Sequence, residues 1–170
     1  MVSSERVFRV LDTDSQIKNT GKLNTENLNG NITFKNVSFA YSDENYVLKN
    51  ISFSINKGES LALVGATGAG KSSIINLLGK YYEINEGAIF IDDININDIE
   101  LKSLRKYMSI VLQDVFLFSD TIYNNITLNN EEITETEVIE AAKKVGAHDF
   151  ISELPNGYQY NVKERGTMLS

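Results

Sequence analysis

The sequence predicts an α/β fold in which an antiparallel sheet, a strand–loop–helix unit and a helical tail follow one another. Three observations carry this. "LALV" (61–64) is an unbroken apolar run that enters the glycine-rich loop "GATGAGKSS" (65–73). Before it, "ITFKNVSFAY" and "ISFSI" alternate apolar and polar residues with period two. After Asp120 the texture turns helical.

Taken in order, "SSERVFRVLDT" places Val7, Val10 and Leu11 at helical spacing, with Ser4 as N-cap, and predicts a short helix. Residues 12–30 are polar and rich in Asn, Thr and Gly, as in a linker. The two alternating stretches (32–41 and 51–55) predict half-buried strands, and "KGE" (57–59) a turn. "LALV" predicts a strand buried on both faces, and a helix is expected from Lys71 to about Tyr82. "GAIFID" (87–92) predicts a strand, "LKSLRKY" (101–107) a short helix and "MSIVLQ" (108–113) another buried strand. Thr134 and Glu137 have capping-box spacing ahead of "VIEAAKKV", and Gly146 is placed as its stop. "AHDFISEL" predicts a last short helix, closed by the turn "PNG".

The 170 residues are one domain by length, with 42% apolar residues for a core. A net charge of −7 argues against a nucleic-acid surface, which needs clustered Lys and Arg. The absence of cysteine excludes disulfides and thiolate metal sites and fits a reducing compartment. No apolar run approaches the ~20 residues that span a bilayer. The N-terminus has no apolar segment of the signal-peptide kind, so the chain alone is expected to be soluble or peripheral.

Gly65, Gly70, Lys71 and Ser72 satisfy G-x-x-x-x-G-K-[ST]. Glycines let backbone N–H groups approach phosphate oxygens. Lys71 is placed to reach the β- and γ-phosphates, and the Ser72 hydroxyl to ligate Mg²⁺. A helix starting there adds its positive N-terminal dipole. The loop alone leaves kinase, GTPase, ATPase and simple nucleotide binding open.

Read as one string, "VSFAY", the loop, "VLQD" and "FLFSDTIYNNI" resemble the nucleotide-binding domain of ATP-binding cassette transporters of the exporter type, from about Asn31 to Ser170. The resemblance implies an incomplete P-loop NTPase core with an antiparallel β subdomain and a helical subdomain (about 120–170). Residues 1–30 would be a helix and linker leading from a membrane domain. Its ligands would be ATP and Mg²⁺. Tyr41 matches the aromatic that stacks on adenine. Gly65, Thr67, Gly68, Ala69, Gly70, Lys71, Ser72 and Ser73 match the phosphate-binding stretch. Gln113 matches the Q-loop glutamine that reaches Mg²⁺ and the attacking water, so the catalytic candidates are Gln113 and Lys71. Val115–Thr121 would face the coupling helix of the transmembrane domain. "ERG" (164–166) precedes a signature that opens with Leu-Ser, matched by Leu169 and Ser170. Ser170 would act on the nucleotide of a second nucleotide-binding domain in a head-to-tail dimer, at the cytoplasmic face of the cell membrane.

Three departures stand out. Asp93 and Lys163 replace glycines, and Ser73 replaces the commoner threonine but keeps the hydroxyl. "AIFIDD" (88–93) has the look of a Walker B strand but comes too soon after the loop, so Asp92 and Asp93 are assigned to a turn. His148, the one histidine, is expected on a helix surface, and "EEITETE" (131–137) is an acidic helix start without a ligand. By the resemblance, a Walker B aspartate, its adjacent glutamate and a switch histidine would follow Ser170. Their strands would sit between those of "LALV" and "SIVL", so the chain alone is expected to be marginally stable and nearly inactive. The alternative is a stand-alone ATP-binding protein without hydrolysis. A small-molecule kinase is disfavoured because no lid-like arginine cluster is present.

Overall fold

The computed structural model describes residues 7–9, 11–13, 17, 19–25, 27–42, 45–113 and 116–162. Residues 7–9 and 11 are helical, as the N-terminal spacing predicts, while Ser4 and Val10 lie outside the described residues. The chain divides into two compact units, 1–110 and 111–170.

The first unit is built on one antiparallel sheet of strands β1 (Ile32–Ala40), β2 (Tyr46–Ile55), β3 (Glu86–Ile91) and β4 (Ile94–Asn95), in the order β2-β1-β3-β4. Phe34 of β1 stands opposite Phe53 on one side and Ile89 on the other. The Phe34 and Phe53 rings stack at 4.5 Å. The period of two breaks at Asn36, which adopts a left-handed conformation (φ 50°) within a register shift. The bulge lets Val37, Ser38 and Phe39 all be buried. Ser38 is satisfied there by accepting from the Asn50 N–H at 3.1 Å. β2 starts five residues earlier than its alternation suggests, because Asn50 (φ 52°) hides the first half of the pattern.

Two short helices cover this sheet. Helix α1 (Lys71–Leu78) contributes Leu77, and α2 (Leu101–Lys106) contributes Leu104, to a core with Phe34, Val37, Phe39, Leu48 and Ile89. α1 ends four residues before the predicted Tyr82. Lys80 turns left-handed (φ 50°), and the Arg105 guanidinium donates to the carbonyls of Gly79 and Lys80, at 3.3 and 3.1 Å. A cation on carbonyls at a helix C-terminus is favourable for both dipole and hydrogen bonding.

Two strand expectations are corrected. Neither "LALV" nor "MSIVLQ" forms a ladder among the described residues. Val64 is 93% exposed and Val111 98%. A strand buried on both faces needs neighbours to pair its N–H and C=O groups, and no described strand pairs with either run. Beside "LALV" lies a crevice of about 210 Å³, lined by Phe34, Phe53, Leu61, Leu63, Ile74 and Leu78 among others.

The polar stretch expected as a linker is tied down along β4 and α2. The N–H groups of Lys22 and Leu23 donate to the Asp98 carbonyl, and Glu100 N–H donates back to Leu23. The Thr25 N–H donates to Ser103 Oγ at 3.1 Å. Asp92 and Asp93 occupy the two-residue turn between β3 and β4, both at positive φ, as a tight hairpin of this length favours. The Asp92 carboxylate accepts from the backbone N–H groups of Asn29, Gly30 and Asn31 and from the Asn31 amide.

The second unit packs α3 (Ile122–Thr127), α4 (Glu135–Lys144), α5 (His148–Glu153) and a 3-10 turn (Gly157–Gln159) around Ile122, Val138, Ala142, Ile151, Tyr158 and Val162. The capping box of Thr134 and Glu137 is formed, and Gly146 adopts φ 73° at the stop of α4. His148 is not a plain surface residue. It is half-buried, and its Nδ1 lies 2.9 Å from the Tyr158 hydroxyl, because α5 folds back onto the 3-10 turn.

The Asp92 clasp has a pH signature. Partial burial pushes its carboxyl up, but the donors from Asn31, Asn29 and Gly30 outweigh this and hold it below the ordinary 3.8. Stability from this group is complete above pH 3.8 and is lost as pH falls through the lower folded value. Asp92→Asn should therefore melt below wild type at neutral pH, and the gap should narrow only on acidification below that point. Thermal melts across the acid range check this, and a gap indifferent to pH would sink it.

Candidate functional site

The loop 65–70 runs from the exposed end of "LALV" into α1. Its shape comes from two left-handed glycines, Gly68 (φ 84°) and Gly70 (φ 85°). Around Gly68 there is open space, with nothing within 4 Å of where a Cβ would stand. Gly70 is the opposite case. It is buried, and a Cβ there would meet Leu48 Cδ2 at 2.6 Å and Val47 Cγ1 at 3.1 Å. The loop backbone is thus seated against β2.

Gly70 is also the N-cap of α1, and no side chain caps that end. The first intrahelical bond runs from Ile74 N–H to the Gly70 carbonyl. The N–H groups of the first turn are donors without helical partners, and with the helix dipole they favour an anion. The Lys71 ammonium lies over the loop, donating to the carbonyls of Gly65 and Ala66, both at 2.8 Å. A phosphate oxygen would be the stronger acceptor, since both partners would then be charged. Ser72 is exposed and Ser73 buried at the start of the helix.

Tyr41 follows β1 and is half-exposed. Its hydroxyl lies 2.9 Å from Ser73 Oγ, so the structure brings it to the same helix start. Its ring meets Phe39 edge-to-face at 4.7 Å and Tyr82 at 4.9 Å. Tyr82 is a residue that sequence reasoning passed over. Nothing in its spacing marks it, because it reaches Tyr41 only through the turn that ends α1.

Gln113 is exposed and belongs to the second unit, where Phe116 and Phe118 pack edge-to-face at 5.0 Å. Val115, Lys163, "ERG", Leu169 and Ser170 lie outside the described residues. The second unit also carries an apolar groove of about 340 Å³ lined by Leu117, Ile126, Val145, Ala147 and Phe150 among others. Among the described residues there is no cluster of three or more His, Cys, Asp and Glu able to hold a metal. No described helix is long and apolar enough to cross a membrane.

Comparison with known proteins gives a consistent answer. Residues 48–167 match the family described as ABC transporter. Over its whole length the chain is 46% identical to the uncharacterized ABC transporter ATP-binding protein YknV of Bacillus subtilis, covering 28% of that protein. Over 96% of its length it is 48% identical to a putative multidrug export ATP-binding/permease protein of Staphylococcus aureus, covering 29% of it. Among solved structures, a bacterial Atm1-family ABC exporter with ATP bound matches with a TM-score of 0.85 and 39% identity. That match covers 99% of this chain and 30% of the exporter's. The chain spans less than a third of the length of these relatives.

The two glycines should respond differently to a methyl group. Gly70→Ala combines left-handed strain with a clash against Leu48 and should cost about 2 kcal/mol of stability or more. Gly68→Ala meets open space and should cost about 1 kcal/mol, from backbone strain alone. Urea unfolding of the two variants checks the order, and equal costs would contradict it.

Proposed function

The chain belongs to the ABC transporter family, and on that premise we propose that it is the ATP-binding part of an exporter, coupling ATP binding and hydrolysis to transport across a membrane. One observation carries this reading: the uncapped start of α1, with two left-handed glycines before it and Lys71 folded over the loop. That geometry suits a phosphate group, because it offers several N–H donors and one ammonium to an anion.

In this reading the backbone from Thr67 to Gly70 lies against phosphate oxygens, and Lys71 leaves its carbonyls for the β- and γ-phosphates. Tyr41 offers its exposed ring to adenine. Ser72 and Gln113 are the residues offered to Mg²⁺, which when bound neutralises phosphate charge. Gln113 would also orient water, and Ser170 would serve the nucleotide of a second, head-to-tail domain.

Membrane coupling is supported by the apolar groove of the second unit, where Ile126, Val145 and Phe150 stay exposed. Such a surface fits an apolar segment of a transmembrane domain, and in this reading the chain works at the cytoplasmic face of the membrane. The relatives named as joint ATP-binding and permease proteins agree with this. Among the described residues the phosphate cradle is present, and there is no cluster of three or more His, Cys, Asp and Glu able to hold a metal. The chain taken alone should turn ATP over negligibly, because positioning phosphates without a base and without a second domain opposite serves the transition state poorly.

Lys71→Ala tests the reading in the full native protein. Loss of a charge-assisted contact should weaken binding of a fluorescent ATP analogue by about 10–100-fold, and phosphate release should fall to background. Retention of both by the variant would overturn the proposal.

A further inference from the structure

Tyr41 is held by more than the end of its strand. Three contacts hold it: the buried Phe39 two residues earlier, Tyr82, and the Ser73 hydroxyl. Two of these three come from the α1 segment. Ser73 lies in its first turn and Tyr82 just past its end. Ser73 is 3% exposed and faces inward with Leu77, one turn on. A hydroxyl that deeply buried needs a partner, and the Tyr41 hydroxyl supplies it at 2.9 Å. The ring is therefore bolted to the helix whose first residues close the phosphate loop.

From this we infer that Ser73 is a positioning residue for the base-binding ring. It ties Tyr41 to α1, so that the adenine platform and the phosphate cradle form one preorganised framework. The inference rests on the ATP-binding reading above and extends it. A ring tethered only by the chain following β1 would lose orientational freedom each time a base bound. A ring held beforehand by Ser73 and Tyr82 has already lost it. The Tyr41–Ser73 bond should therefore contribute to binding the base and not to binding the phosphates.

Binding of Mg-ATP and of Mg-tripolyphosphate to the full native protein tests this, because the second ligand has no base. The ratio of the two affinities is the readout. Tyr41→Phe keeps the ring and its edge-to-face packing but removes the hydroxyl. Losing one hydrogen bond should lower the ratio about fivefold. Ser73→Ala should lower it equally, Ser73→Thr should preserve it, and the double variant Tyr41→Phe/Ser73→Ala should match either single one within about twofold. Ser73 also stands in the phosphate cradle, so Ser73→Ala is judged on the ratio and not on either affinity alone.

A merely structural role for the bond would weaken both ligands together and leave the ratio unmoved, which would overturn the inference. Losses that multiply in the double variant would overturn it too. Wild-type protein that binds tripolyphosphate as well as ATP would overturn the inference while leaving the phosphate cradle standing. Wild-type protein that binds neither would remove the ATP-binding reading itself, and the inference with it.

Discussion

The close approach of the loop backbone at Gly70 to Val47 and Leu48 of β2 is the constraint on which the site depends. It requires a residue without a Cβ, in a left-handed conformation, at the one point where loop becomes helix. With that seat in place, α1 starts in a fixed register. Lys71 then returns over the loop, Ser72 stays in solvent, and Ser73 and Leu77 turn inward on successive turns. Moving the helix start by one residue would rotate these roles by about 100° and bring a different side chain to each. The sheet thus controls the site through a contact that is itself apolar.

Energetics divide the molecule unevenly. The β1–β2–β3 face and the two short helices close a dry core around Phe34, Val37, Ile89 and Leu104, while Leu61, Val64, Val111 and Leu112 remain at least half exposed or nearly so. Full burial of one such side chain is worth about 1.5–3 kcal/mol, so these runs leave apolar surface unsatisfied. They also lack ladder partners among the described residues, which leaves backbone groups open to pairing with a further strand. The second unit has a core of its own and keeps its unmet apolar surface in a groove.

Asparagine has a structural part that its abundance alone does not reveal. Asn36, Asn50, Asn129 and Asn156 all adopt positive φ, a conformation that asparagine tolerates better than most residues. Asn36 and Asn50 set the bulges that let β1 bury three consecutive residues. Asn31 joins Asn29 in holding Asp92, so the segment before the sheet is anchored to the β3–β4 turn. That segment reads as a linker because it has no apolar period. Its order comes from hydrogen bonds to residues 61 to 82 positions away, which leave no local trace.

The sequence by itself determined the phosphate loop, the strand on each side of the first bulge, the capping box of Thr134 and Glu137, the stop at Gly146 and the family. Each of these is written in residues close together, so that spacing alone carries the physics. Only the tertiary structure decided the rest. It left "LALV" and "MSIVLQ" without a ladder partner among the described residues, because an apolar run states a wish to be buried and not the presence of a neighbour. It ended α1 at Leu78, where Arg105 from another helix takes the terminal carbonyls. It drew His148 onto Tyr158 and Tyr41 onto Ser73. These last contacts join residues that neither periodicity nor a motif links, and only packing, of helix on 3-10 turn in one case and of helix on sheet in the other, brings their polar atoms within bonding distance.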